Sequence, residues 1–211
     1  MEKKGLFITF EGGEGAGKTS LLDSLEKHLK NKKTSYVRTR EPGSTLLGEK
    51  IRNLLLERYH TSYSSYAELC LFLASRAQHI QEVIRPSLND SKVVLCDRFN
   101  DSSIVYQGYA RGLGMEKVSS FCEFISENMK PDMTFYLDVS PEIGLQRVKK
   151  ATTRDGFDRI EEEQIQFHEK IRQGFFQIAN SDKNRFFIID AAQSMEKVLA
   201  DVIEVINERI S

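Results

Sequence analysis

The chain has 211 residues, enough to bury one substantial core and too few for several domains. Its 30 Lys and Arg stand against 31 Asp and Glu, a formal net charge of -1, which argues against a nucleic-acid polymer as the main partner. Three cysteines (Cys70, Cys96, Cys122) in no C-x-x-C spacing, and four scattered histidines (His28, His60, His79, His168), predict neither a disulfide framework nor a zinc site.

Lys3 and Lys4 precede an apolar run that ends at Glu11, too short for a signal-peptide core. No segment approaches the ~20 apolar residues of a membrane helix. A soluble, cytoplasmic protein with no membrane partner is expected.

The run Leu6–Phe10 reads as a buried strand. It leads into Gly12-Gly13-Glu14-Gly15-Ala16-Gly17-Lys18-Thr19, which fits G-x-x-x-x-G-K-[ST], and then into the helix-like Ser20–Leu25. Glycines let such a loop bring backbone N–H groups to phosphate oxygens, and the helix N-terminus adds partial positive charge. Lys18 then reaches the outer phosphates and Thr19 can ligand Mg²⁺.

A second strand, Tyr36–Thr39, ends in Arg40-Glu41-Pro42-Gly43-Ser44-Thr45, where Pro42 and Gly43 make a turn and Ser44 or Thr45 caps the next helix. On that helix Arg52 faces either the cleft or solvent, and spacing alone favours solvent. Ala67–Ile84 reads as a long helix with an apolar stripe of Leu69, Leu73, Ala77, Ile80 and Ile84. Phe72 and Arg76, four apart, lie side by side on a neighbouring line. Such a pair can hold a planar base, one residue stacking and the other donating to a carbonyl. On periodicity alone, Phe72 instead widens the core stripe and Arg76 is solvated.

The third strand, Val93–Cys96, ends in Asp97-Arg98. A carboxylate there, beside the phosphate loop, is placed to hold Mg²⁺, and the adjacent arginine suits bidentate phosphate binding. Ser102, Ser103, Tyr106 and Gln107 open the next helix, either lining the same pocket or capping the helix. Strands at Thr134–Val139 and Phe186–Asp190 complete the set, and Val198, Val202, Val205 and Ile206 mark a last helix. Charge-rich Lys149–Arg159, containing Gly156, reads as a mobile connection. Its cluster of Arg147, Lys149, Lys150 and Arg154 is either a solvated face or a closing lid that brings in an arginine. Strands alternating with helices predict one α/β domain over 1–211, a five-stranded parallel sheet with helices on both faces and a short lid at about 149–158.

Several segments together resemble the bacterial form of the thymidylate kinase family. They are Phe10–Thr19, Thr39–Gly43, Glu68–Arg76, Asp97-Arg98-Phe99, Tyr106-Gln107-Gly108 and Phe157-Asp158-Arg159-Ile160-Glu161. The phosphate loop alone is shared by many ATPases and GTPases; the ordered set is far more specific. Another nucleoside-monophosphate kinase is the nearest competing reading, and a nucleotide-dependent switch would leave Phe72, Arg76 and Asp97-Arg98 unexplained.

The resemblance implies a nucleoside-monophosphate-kinase fold, usually a homodimer, that moves the γ-phosphoryl group of Mg-ATP to thymidine 5′-monophosphate (dTMP). It places ATP on Gly12, Gly13, Glu14, Gly15, Ala16, Gly17, Lys18, Thr19 and Ser20, with Arg147 near its base or phosphates. Magnesium falls to Thr19 and Asp97. Glu14 reaches the acceptor's 3′-hydroxyl, and Arg98, seconded by Arg52, clamps its phosphate. Phe72 stacks on thymine, Arg76 donates to O4, Ser103 meets the base edge with Gln107 nearby, and Tyr106 crowds out a 2′-hydroxyl. Relatives of the eukaryotic type carry a basic residue where this chain has Gly15, so the catalytic charge beside Lys18 and Arg98 is expected from Arg154. Phe99 stands where many relatives have tyrosine.

Overall fold

The computed structural model describes residues 5–57, 63–151 and 158–210. Five strands, β1 (Leu6–Glu11), β2 (Tyr36–Arg40), β3 (Val93–Asp97), β4 (Met133–Asp138) and β5 (Phe186–Asp190), form one sheet in the order β2-β3-β1-β4-β5. Every pairing is parallel. All five expected strands are present. β1, β2 and β3 each run one residue beyond their apolar stretch, because the backbone ladder continues through the polar residue that ends it. Glu11, Arg40, Asp97, Asp138 and Asp190 therefore stand along one edge, the carboxyl ends where ligands of such sheets bind.

Side chains alternate across the sheet. From β1, Ile8 and Phe10 join Leu21, Leu22, Val198 and Val202 on one face, packing against α1 (Lys18–Asn31) and α9 (Met195–Ile210). Phe7 points the other way, into a cluster with Ile80, Ile84, Val94, Cys96 and Phe99. Tyr136 on β4 packs with Phe175 of α8 (Ile165–Ser181). Both faces are covered, so the strands read as near-continuous apolar runs. Phe99 is fully buried with its ring edge-on to Phe7 at 5.0 Å.

Thr45, not Ser44, caps α2 (Leu46–Leu56), its side chain accepting from Gly48 N at 2.9 Å. α3 (Ser65–His79) begins at the cap Ser64 and continues through a wide π-type turn, Ile80–Ile84, into α4 (Arg85–Asn89). The helical path thus passes Pro86 instead of ending before it, since a proline in the first turn of a new helical segment loses no needed N–H. Ala77 is exposed, not part of the core stripe. At about 100° per residue it sits ~80° round the helix from Leu69. α5 (Asn100–Ser103) opens a second wide turn, Ile104–Ala110, and α6 (Met115–Ile125) follows. α7 (Pro141–Ala151) carries Lys149 and Lys150, so the expected connection at Lys149–Arg159 starts in helix; its residues 152–157 lie outside the described residues. Among the described residues, no helix is long and apolar enough to cross a membrane.

α7 touches the phosphate loop backbone to backbone. Gly15 has φ +68, and a Cβ there would lie 2.0 Å from Gly144 O. A Cβ on Gly144 would lie 2.3 Å from Glu14 O. At Gly13, by contrast, a Cβ meets nothing within 4 Å. Gly15→Ala is expected to cost at least about 2 kcal/mol, a Tm fall of roughly 4–8 °C, whereas Gly13→Ala leaves Tm within about 2 °C. Thermal denaturation of both variants checks the contrast, and equal Tm values would show that no close approach constrains the loop.

Candidate active site

The phosphate loop runs from β1 to α1, whose first residue is Lys18. Gly17 takes a left-handed φ of 91 and caps the helix without any side-chain bond. The first-turn N–H groups are therefore left open to an anion. Lys18 is buried, and its Nζ donates to Gly12 O at 3.1 Å and Gly13 O at 3.2 Å. Burial and the nearby Arg98 push its pKa down, partly countered by Asp97 and Glu14.

Arg98 follows β3 in the left-handed region, φ 68. Its backbone N–H donates to Phe10 O at 3.0 Å, which fixes that turn. The guanidinium donates to Gly12 O at 3.0 Å, Ser102 Oγ at 3.3 Å and Glu14 Oε1 at 2.7 Å, and lies 5.0 Å over the Tyr106 ring. Tyr106 also donates to Glu14 Oε1 at 3.1 Å. Burial opposes charge on Glu14, but Arg98 and Lys18 hold its pKa below the usual carboxylate value.

Two cavities meet at this cluster. One, of about 600 Å³, is lined by Glu14–Ser20, Asp97, Arg147 and Glu161. Arg147 Nη1 donates to Ala191 O across it at 2.8 Å. Asp97 Oδ1 is buried and has no hydrogen-bond partner among the described residues. The other, of about 90 Å³, is lined by Phe72, Arg76, Ser102, Ser103, Tyr106 and Gln107, with Asp158 and Ile160. Glu14, Glu41, Arg52 and Arg98 belong to both linings. Arg52, whose spacing favoured solvent, instead faces the clefts, held by its bond to Pro42 O at 3.1 Å.

Arg76 is not solvated: it is 1% exposed. Its Nε donates to Glu41 Oε2 at 2.7 Å, Nη2 to Phe99 O and Ser103 Oγ at 3.0 Å each, and Nη1 to Cys122 Sγ at 3.5 Å. Glu41 in turn pairs with His79 Nδ1 at 2.9 Å. Burial would raise the Glu41 pKa, but Arg76 and His79 hold it low. Phe72 is half-buried and stands in the cavity wall, as its pairing with Arg76 predicts. Gln107 spends its Nε2 on Glu68 at 2.8 Å.

Every expected site residue among the described ones stands in these two linings, apart from Gly12 and Gly13, whose carbonyls hold Lys18 and Arg98 from behind. Arg154 lies outside the described residues. Sequence reasoning gave no role to Glu11, Glu41, Glu161 or His168. Glu11, Glu41 and Glu161 sat inside quoted motifs, so position relative to a strand end or the post-lid segment was their only signal. His168 carries none: its buried Nε2 has no partner among the described residues, and with Gly13 and Glu14 it lines a pocket of about 10 Å³, room for one water.

The thymidylate kinase family model matches residues 10–202. The chain belongs to the thymidylate kinase family. It is 50% identical over 213 residues to a thymidylate kinase of Protochlamydia amoebophila, covering 99% of this chain and 95% of the relative. A thymidylate kinase of Bacillus thuringiensis (strain Al Hakam) is 44% identical over 207 residues, covering 98% and 99%. The crystal structure of thymidylate kinase from Ehrlichia chaffeensis superposes with a TM-score of 0.76 at 33% identity, covering 96% of this chain and 99% of that one. Resemblance, fold class and enzyme class thus agree: the sheet is that of a phosphate-loop nucleotide kinase.

Glu11 sets a pH dependence in this thymidylate kinase fold. Buried at the end of β1, it accepts Phe99 N–H at 2.8 Å and the Ser102 hydroxyl. Burial first, then Asp101, raises its pKa from 4.5 to about 8. The folded chain therefore keeps a proton that the unfolded chain releases, and stability falls as pH rises between these two values. Glu11→Gln mimics the protonated acid. Its Tm relative to the parent should rise by several degrees between about pH 5 and about pH 9. A pH-independent difference in thermal denaturation would show that Glu11 does not titrate this way.

Proposed function

We propose that the protein transfers the γ-phosphoryl group of Mg-ATP to dTMP by in-line displacement, supplying thymidine diphosphate in the cytoplasm for dTTP synthesis. The observation that carries this reading is the shared wall of the two cavities. Arg98 there faces a large cleft fronted by the phosphate loop and a smaller one walled by Phe72 and Arg76. A donor and an acceptor phosphate entering from opposite sides meet at one guanidinium.

ATP takes the larger cleft. Lys18 leaves the Gly12 and Gly13 carbonyls for the outer phosphates, where its partly destabilised charge is matched. The open N–H groups of α1 hold the same phosphates, and Arg147 flanks the nucleotide. Asp97, with an unpartnered buried oxygen, and Thr19 in the same wall fit a divalent cation and would hold magnesium. Bound there, the ion supplies neutralising charge to the phosphate oxygens.

dTMP takes the smaller cavity. Phe72 stacks on the base. Four of the five Arg76 donors are spent on Glu41, Cys122, Phe99 and Ser103, which fixes the plane of the group and leaves one N–H for the base O4. Ser103 and Gln107 border the base edge, and Tyr106 fills the place of a 2′-hydroxyl. Glu14 accepts the 3′-hydroxyl; Arg98 and Arg52 take the phosphate. Arg154 supplies the remaining cation as charge spreads over the transferring group.

Kinetics with ATP and a panel of nucleoside monophosphates test this directly. dTMP is expected to lead, and no turnover of dTMP would refute the reading. Cytosine presents an amino donor where thymine has O4, so an unpaired donor costs on the order of 1–3 kcal/mol. Arg76→Ala is a poor probe, because it strands Glu41 as a buried charge at about 3–5 kcal/mol. Arg76→Lys keeps a cation beside Glu41 but loses the fork. It should cut the kcat/KM preference for dTMP over dCMP by roughly tenfold, and equal losses on both acceptors would take Arg76 out of base recognition.

The proposed homodimer has a candidate face. Tyr66, Cys70, Ala74 and Ala77 make an exposed, uncharged stripe along α3. Neighbouring helices add exposed Leu46, Leu47 and Leu54 on α2, and Phe121 and Phe124 on α6. Ala74→Glu, which places a charge mid-stripe, should convert a dimer to a monomer in light scattering while leaving the monomer folded. An unchanged dimer mass would exclude this face.

A further inference from the structure

Glu68 is a buried carboxylate on the first turn of α3, 3% exposed and one turn before Phe72. Oε1 accepts from Gln107 Nε2 at 2.8 Å and Arg111 Nε at 3.4 Å. Oε2 lies 2.6 Å from Arg159 Nη2, an ion pair whose angle falls outside hydrogen-bond geometry. These partners come from the wide turn after α5, the loop following it, and the segment just past the lid. Both arginines reach further. Arg159 Nε donates to Leu55 O at 3.0 Å, at the end of α2, and Arg111 Nη1 pairs with Glu163 at 2.6 Å. Gln107, Asp158 and Ile160 line the smaller cavity. Burial would push the Glu68 pKa up, but Arg111, Gln107 and Arg159 hold it below the usual carboxylate value, so it remains an anion.

We propose that Glu68 is a positioning residue of the acceptor site: one buried carboxylate that, through Gln107 and Arg159, fixes two walls of the smaller cavity against the helix carrying Phe72 and Arg76. The role in acceptor binding rests on the reading of that cavity as the dTMP site. Glu68 need not touch the acceptor. It sets the amide of Gln107 and holds the root of the lid, segment 158–163, at a fixed place relative to the stacking ring. Without its charge, two guanidiniums lose their common anion, while the Leu55 and Glu163 bonds and the ring contacts of Arg159 with Tyr63 and of Arg111 with Phe167 remain.

Glu68→Gln preserves shape and removes charge. Three measurements on the full chain decide the matter: Tm, hydrogen exchange of 158–163 without nucleotide, and steady-state kinetics with dTMP and ATP varied separately. Exchange at 158–163 is expected to quicken by about tenfold or more. KM for dTMP should rise about tenfold, with KM for ATP within about twofold and kcat within about threefold. Glu68→Asp, which keeps the charge on a shorter arm, should recover part of the dTMP affinity. Unchanged exchange would overturn the proposal. So would a loss spread evenly over both substrates with a lowered Tm, the mark of a merely structural ion pair. Should Glu68→Gln fail to fold, Arg159→Lys, which keeps the ion pair and loses the Leu55 bond, is expected to show the same selective rise at smaller size, and its absence would count against the latch. Titration calorimetry of dTMP on the parent protein separates the two readings. No binding there refutes the acceptor site, while exchange at 158–163 still decides whether Glu68 fixes the walls.

Discussion

Two cations placed side by side, Lys18 buried and Arg98 partly so, govern this site. Arg98 follows β3 and Lys18 opens α1 beyond the loop from neighbouring β1, and Arg98 disfavours charge on Lys18. Lys18 leans on two loop carbonyls and Arg98 on Glu14, Gly12 and the Tyr106 face. Like charges out of water are tolerated only when anions are near. Glu14 and Asp97 supply part of that compensation, and on the proposed function phosphate groups supply the rest. The strained left-handed backbone at Arg98 belongs to the same constraint, because it turns the guanidinium back across the loop; such strain persists only where surroundings over-determine it.

Three buried glutamates then divide the labour of holding the walls. Glu11 grips the backbone of Phe99 and the Ser102 hydroxyl beneath Arg98. Glu41 holds Arg76 and His79. Glu68 gathers Gln107, Arg111 and Arg159. Each joins segments distant in sequence. An apolar core could glue these segments more cheaply, but it would leave the rotation of each guanidinium and amide open. Glu41 and Glu68, held as anions, each present two acceptor oxygens and so fix orientation as well as distance. On the proposed function, the arrangement suits a site that must tell a carbonyl from an amino group on one base edge.

The sheet was legible because its strands are buried on both faces and therefore apolar throughout; a period-independent run bounded by polar residues is a simple signal. The phosphate loop, Asp97 and Arg98 were legible because chemistry at strand ends has a fixed place in this architecture. Arg76 was misjudged on spacing alone for an instructive reason. Seven residues from Leu69 is two turns, about 20° off the same line, so it points inward with the core stripe, yet its charge suggested solvent. Ala77 erred in the opposite sense, apolar by composition but rotated outward. Glu68 and Arg159 fell in recognised motifs, but a buried ion pair is a tertiary property that no local pattern encodes. The walls they tie together could be found only from the folded chain.

The contact between Gly15 and Gly144 connects fold to catalysis. A side chain at Gly15 would strike the backbone of α7, so the loop as built here has no room for a basic residue of its own. On the proposed mechanism, the cation that balances the transferring group has to come from outside the loop. Arg147, on α7, is bonded to Ala191 O and lines the larger cleft. Lys149 and Lys150 are exposed on the same helix. The helix that excludes a side chain from the loop is also the one that precedes Arg154 in the chain. On the proposed mechanism, close packing of the two glycines and a cation supplied from beyond α7 are two sides of one solution: a loop held this tightly against the helix leaves the charge to a residue outside it.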